Sequence, residues 1–85
     1  MDEQPDVGQT VRRIVSEILE RPVEEIQDHH AFVEDLDAES IQSVELMAAF
    51  EEAFGIELDE EEAMAVKTVG AAIEFIQRCI RGQRS

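Results

Sequence analysis

The chain has 85 residues, 44% of them hydrophobic, with no Trp or Tyr and four Phe; that is enough for one domain with a single, mainly aliphatic core, and it excludes wholesale disorder. The formal net charge is −14, from 21 acidic against 7 basic residues, and no Lys or Arg falls between Pro22 and Val66. Such a field excludes nucleic acid and anionic membrane surfaces as partners and favours basic patches on other proteins.

Hydrophobic periodicity predicts helices throughout. In the first, from about Asp6 to Glu20, Val7, Val11, Ile14, Val15, Ile18 and Leu19 recur at three-to-four spacing. Pro22 is expected to stop it, because the residue before a proline resists the helical region. A long polar connection from Arg21 to Asp37 follows, pinned by Val23, Ile26, Phe32 and Leu36. Connections of that length in small bundles are often functional. The second helix is predicted from Glu39 or Ser40 to Phe54, with Gly55 as its left-handed end. Its inward face is read as Leu46, Phe50 and Phe54, with Ala49 and Ala53. Asp59 and Glu62 form a capping box for a short third helix at about Glu60 to Ala65. Thr68 caps a fourth from about Val69 to Arg81, with Val69, Ala72, Ile73, Ile76, Cys79 and Ile80 as its apolar stripe. Arg78 and Arg81 suit its C-terminal dipole and Gly82 its stop. The fold class expected is therefore all-α: a small four-helix bundle, three helices long and one short, with a long loop between the first and second, spanning residues 1–85 as one domain.

Ser40 is the residue with chemistry to explain. It begins the acidic second helix, after Asp35-Leu36-Asp37-Ala38-Glu39. No His, Lys or Cys lies nearby to act as its base, so its hydroxyl is a poor nucleophile in its own right. It is a good acceptor for a group that another enzyme attaches, since a phosphodiester there would lie at the positive end of the helix dipole. Taken alone, the residue reads first as an N-terminal cap, since Ser is favoured there; its neighbours shift that reading.

The stretch Phe32-Val33-Glu34-Asp35-Leu36-Asp37-Ala38-Glu39-Ser40-Ile41-Gln42-Ser43-Val44-Glu45-Leu46 resembles the attachment-site signature of the acyl carrier protein family, F-x-x-D-L-G-A-D-S-L-x-x-V-E-L. The resemblance continues through Phe50-Glu51-Glu52-Ala53-Phe54-Gly55-Ile56-Glu57-Leu58 and Asp59-Glu60-Glu61-Glu62-Ala63 to Lys67-Thr68-Val69-Gly70-Ala71-Ala72-Ile73, covering nearly the whole chain. It implies 4′-phosphopantetheine, drawn from coenzyme A, on Ser40, with acyl groups held as thioesters on its thiol and delivered to enzymes of fatty acid, related lipid or polyketide biosynthesis. The implied partners are a phosphopantetheinyl transferase and acyl-processing enzymes with basic docking patches. Asp37 stands where the family has Gly, Glu39 where it has Asp and Ile41 where it has Leu. Glycine there permits a backbone shape that most residues avoid, and aspartate tolerates such shapes better than most. These departures, with the Arg-rich end at Arg78, Arg81 and Arg84, point to a specialised relative.

Ser40, Val44, Ala48 and Glu52 fall on one stripe of the second helix, joined by Glu45 and Glu51. Together with Glu39 this is the expected docking face for a partner that must reach Ser40. The resemblance also implies an expandable acyl channel, and by position Phe32, Leu46, Phe50, Leu58, Val66, Ala72 and Ile76 would line it. Alanines at 49, 53, 63 and 72 leave room there, or else reflect close helix approach. Phe50 replaces the Leu common in the family and should narrow the space, favouring shorter or differently shaped cargo.

Other classes fit less well. Asp35-x-Asp37-x-Glu39 imitates the start of a calcium-binding loop, but Ser40 and Leu46 occupy the positions that need Gly and Glu. His29 and His30 have no Cys ligands around them, so no metal site is expected. An enzyme is not expected, for want of a nucleophile–base pair. No segment reaches the roughly 18 apolar residues of a membrane span, the acidic N-terminus lacks a signal peptide's apolar core, and the single cysteine, Cys79, reads as a packed residue in a reducing compartment. A cytoplasmic monomer is expected, without stable membrane insertion. Two alternatives stay open: an unmodified acidic helical adaptor for basic partners, and a peptidyl or aminoacyl carrier.

Overall fold

The computed structural model describes residues 6–82. Helix α1 (Val7–Leu19) starts at Asp6, whose carboxylate accepts the Gln9 amide at 3.2 Å. Val11, Ile14, Val15 and Leu19 are buried along one stripe, and burial of that stripe is what offsets the entropy of ordering a short helix. The helix ends before Pro22 can act on it. Glu20 adopts the left-handed conformation at φ 57, and the Arg21 amide donates to the Ser16 carbonyl at 3.1 Å. Helix α2 (Ser40–Phe54) ends the same way, with Gly55 at φ 63 and the Ile56 amide on the Glu51 carbonyl at 3.2 Å. Glycine suits that shape, whereas Glu20 is held in it at a cost of about 1 kcal/mol.

The long connection contains a single 3-10 turn, Val23–Glu25. Ile26, Phe32 and Leu36 anchor the loop in the core as expected, but Val23 is 43% exposed. It opens a turn that lies wholly on the surface, and Ile26 just beyond takes the inward position. The loop then docks on the start of helix α4 (Val69–Gly82). The Val69 amide donates to the His30 carbonyl at 3.0 Å and the Gly70 amide to the Asp28 carbonyl at 2.8 Å. These bonds satisfy first-turn amides that no helix can satisfy internally. Phe32 donates to the Lys67 carbonyl at 2.9 Å, and Ala31 and Thr68 form an antiparallel bridge. Thr68 Oγ1 caps α4 through the Ala71 amide at 3.1 Å. Arg12 of α1 reaches the Asp28 carboxylate at 2.8 Å. Loop, α1 and α4 thus form one seam.

Within α2, Leu46 and Phe50 are buried and Met47, Ala49 and Phe54 half-buried. Ala53, expected inside, is exposed. Its methyl lies at the end of the helix, where the longer Phe50 and Phe54 have already closed the core. Helix α3 (Glu60–Met64) starts at Asp59, whose carboxylate accepts the Glu62 amide at 3.2 Å. It buries nothing fully, and the buried Ile56 and Leu58 ahead of it hold the segment down. In α4, Val69, Ala72, Phe75 and Ile76 are buried. Phe75 was not in the expected stripe, and Gly82, expected to stop the helix, is its last residue. Because α1 packs against both α2 and α4, its Val11 and Val15 are fully buried, as are Val69 and Ile76. Among the described residues there is no strand, and the all-α bundle of three long helices and one short one stands.

Candidate functional site

Ser40 is the first residue of α2, and its side chain is exposed. It is not the cap. That place belongs to Glu39, at φ −91 and ψ 162, whose amide donates to Gln42 Oε1 at 2.9 Å. The Ser40 hydroxyl has no hydrogen-bond partner among the described residues, so nothing in the fold engages it. The first-turn amides of α2 lie beside it, lacking the preceding turn that would supply their carbonyls. This setting fits a covalent phosphodiester: an open hydroxyl, nearby N–H donors and the positive end of a 15-residue helix.

The backbone leading to Ser40 is tightly specified. The Asp35 and Leu36 amides both donate to the Ala31 carbonyl, at 2.9 and 3.1 Å, and the Ala31 amide donates to the Asp35 carboxylate at 2.7 Å. The Asp37 amide donates to Val33 at 3.2 Å and the Ala38 amide to Phe32 at 2.8 Å, with Leu36 and Ala38 buried. Asp37, the residue that replaces glycine, sits at φ 58. The left-handed shape expected of that position is present, and an aspartate fills it.

Glu39, Val44, Glu45, Ala48 and Glu52 are all exposed, on the helix that presents Ser40. Ile41 and Val44 are each 62% exposed, and Val33 in the preceding loop is equally open. The sequence reading did not single out Ile41 or Val33 for this face; each is an apolar side chain left open to solvent, Ile41 on α2 and Val33 in the loop. Glu51 does not belong to this set. It is only half exposed, and its carboxylate accepts the Leu58 amide at 2.9 Å.

Of the residues expected to line an acyl channel, Phe32, Leu46, Phe50, Leu58, Ala72 and Ile76 are buried in the common core, and Val66 is half-buried. An open groove of about 670 Å³ lies between α3 and α4, bordered by Glu62, Val66, Phe75, Arg78 and Cys79 among others. Val66 alone belongs to both sets. In that groove burial pushes the Cys79 thiol pKa up; the Glu62 charge adds to this and the Arg78 charge opposes it.

Among the described residues no group of three or more His, Cys, Asp or Glu side chains could hold a metal ion. The His29 and His30 ring centroids lie 4.5 Å apart with the planes inclined at 58°, and His30 Nδ1 accepts the Gln27 amide. No helix of the described residues is long and apolar enough to cross a membrane.

The arrangement is a small acidic bundle with an open serine at the start of its second helix. Residues 9–76 match the family described as "Phosphopantetheine attachment site". The chain is 44% identical over 72 residues to an acyl carrier protein of Phenylobacterium zucineum, covering 85% of this chain and 91% of that one. It is 38% identical over 73 residues to the acyl carrier protein AcpP of Rhizobium meliloti, covering 86% and 94%. Among solved structures, an acyl carrier protein from Enterococcus faecalis superposes with a TM-score of 0.74 at 32% identity, covering 87% of this chain and 94% of that one. The chain belongs to the acyl carrier protein family, whose members are carriers and not catalysts, and its cofactor is 4′-phosphopantetheine.

Proposed function

We propose that Ser40 is the attachment residue and that residues 1–85 form a single acyl-carrier domain working in fatty acid or related lipid or polyketide synthesis. The observation that carries this is the exposed hydroxyl on the first residue of α2, free of any capping duty. In the attachment step, the Ser40 oxygen bonds to the pantetheine-side phosphorus of coenzyme A. The phosphoanhydride P–O bond breaks, adenosine 3′,5′-bisphosphate leaves with the electron pair, and a base on the transferase takes the hydroxyl proton. When bound, the arm supplies a thiol able to hold acyl groups as thioesters.

The chain's own residues do the rest. Val44 and Ala48 offer apolar contact beside Ser40, and Glu39, Glu45 and Glu52 offer charge to basic grooves of the transferase and of acyl-processing enzymes. Phe32, Leu46, Phe50, Leu58, Val66, Ala72 and Ile76 are the proposed walls of a space that opens for the acyl chain. Phe50→Leu is then expected to slow hydrolysis of long-chain thioesters more than short-chain ones; equal protection would remove the channel from this reading. The single thiol and the acidic surface support a monomer in the cytoplasm.

The test is incubation with coenzyme A and a phosphopantetheinyl transferase, read by intact mass. A gain of one phosphopantetheine that Ser40→Ala abolishes supports the reading. No gain in the wild-type chain returns the protein to the class of unmodified acidic adaptors. Loading with acyl against aminoacyl donors then separates an acyl carrier from a peptidyl one.

A further inference from the structure

We propose that Arg21 is a positioning residue for the modification of Ser40, acting through Leu36 and Asp37; this rests on Ser40 being the attachment residue. Arg21 Nε donates to the Leu36 carbonyl at 3.3 Å and Nη2 to the Asp37 carboxylate at 3.1 Å. One planar guanidinium thus grips the backbone ahead of Asp37 and the side chain of Asp37 itself. A third, looser ion pair, Nη1 to the exposed Glu25 carboxylate at 3.7 Å, lies at the other edge of the group.

The grip is directed at a strained point. Asp37 lies at φ 58, a shape that costs a residue with a Cβ, three positions ahead of Ser40. A free chain would relax toward negative φ and swing the segment 38–40 with it. Arg21 opposes that relaxation, because with its guanidinium held on the Leu36 carbonyl, turning Asp37 would break the contact to the Asp37 carboxylate.

The anchor for Arg21 is equally specific. It follows the left-handed Glu20 that ends α1, and its amide donates to the Ser16 carbonyl at 3.1 Å. The Ser16 hydroxyl donates back to the Arg21 carbonyl. A second tie reaches the site from the other side: Gln42 accepts the Glu39 amide with Oε1 and donates through Nε2 to the Ile18 carbonyl at 3.5 Å. The end of α1 therefore holds the Ser40 segment both before and after the serine.

The transferase must bring its phosphorus in line with an oxygen whose placement is set by this turn. Small errors in such placement are costly in rate, by up to about a hundredfold per ångström. Docking through Val44, Ala48, Glu45 and Glu52 lies further along α2, away from the turn; of the docking face only Glu39 sits in the segment that the turn places. Loss of Arg21 should therefore act on kcat and spare KM.

The experiment measures transferase kinetics by intact mass, at a temperature where every variant is fully folded by circular dichroism. Arg21→Ala is expected to lower kcat about tenfold with KM within about twofold. Arg21→Lys, which cannot span both acceptors, should fall between. In the Asp37→Gly background the Arg21→Ala effect should shrink to less than about twofold, because glycine adopts positive φ unaided. Hydrogen exchange at amides 38–42 should speed up in Arg21→Ala and return in the double variant. A wild-type chain that is modified while Arg21→Ala is modified at the same kcat overturns the positioning role alone. A rise in KM with kcat unchanged also overturns it, since that marks docking or partial unfolding. A wild-type chain that never gains the mass overturns the attachment at Ser40, and this inference with it.

Discussion

The Glu51 carboxylate accepts the amide proton of Leu58 across the corner between α2 and α3, at 2.9 Å. The Glu51 carbonyl meanwhile closes the end of α2 through Gly55 and Ile56. Glu52, next in sequence, is exposed. Two adjacent glutamates thus have different duties, one in the fold and one on the surface.

Glu51→Ala should cost about 1 kcal/mol, the usual worth of one hydrogen bond, and lower Tm by about 5 °C. Glu51→Gln keeps an acceptor and should retain most of that stability. Glu52→Lys and Glu45→Lys should leave Tm in place and weaken affinity for a cognate enzyme modestly, mainly through on-rate and salt dependence. Thermal melts and titrations read both effects; a Glu51→Ala protein that melts with the wild type would refute the division.

Glu20→Gly should stabilise the protein. The left-handed residue at the end of α1 has a Cβ to accommodate, and glycine does not. The gain expected is about 0.5–1 kcal/mol after allowing for the looser unfolded chain. Urea denaturation measures it. A loss of stability would mean that the Glu20 side chain makes a contribution greater than the strain it bears.

Gly70 marks the tightest point of the seam between the loop and α4. A Cβ there would stand 3.1 Å from the Asp28 carbonyl oxygen, the same oxygen that accepts the Gly70 amide. Alanine would gain helix propensity of about 1 kcal/mol and lose a similar amount to crowding, leaving little net change. Gly70→Val adds bulk without that compensation and should cost about 2 kcal/mol. Faster hydrogen exchange at the Val69 and Gly70 amides should accompany the loss. Unchanged exchange would show the seam to be slack.

Cys79 should react slowly with iodoacetamide at neutral pH. Burial pushes its thiol pKa up, the Glu62 charge adds to this and the Arg78 charge opposes it, so less thiolate forms than on a free cysteine. Glu62→Gln should speed the reaction and Arg78→Gln should slow it. The sign for stability follows from the raised pKa: the contribution is whole below the thiol's ordinary value and is lost as pH rises through the higher folded value. Alkylation rates as fast as those of a free thiol would contradict the raised value.

Much of this was legible in the chain. The stripes of α1 and α4 repeat at helical spacing, Gly55 and Thr68 stand at helix ends, and Asp59 precedes a run that needs a cap. Such signals are local, and helices answer to local signals. The misreadings came from residues whose surroundings are set elsewhere. Ala53 faces water because larger neighbours fill the core first. Val23 is carried outward by a 3-10 turn. Phe75 is buried against a groove between two elements. Glu51 became structural because Leu58 folds back within its reach.

The sequence by itself determined the helical class, the acidic field and the serine whose neighbours resemble an attachment signature, since each depends on residue type and spacing along one segment. Only the tertiary structure decided that Ser40 is open and not a cap, and that Asp37 takes positive φ. It alone brought Arg21 from the end of α1 to hold that turn. The physical reason is distance: Arg21 and Asp37 are 16 residues apart in the chain, and nothing in either segment alone encodes a hydrogen bond that exists only after the loop has closed on the core.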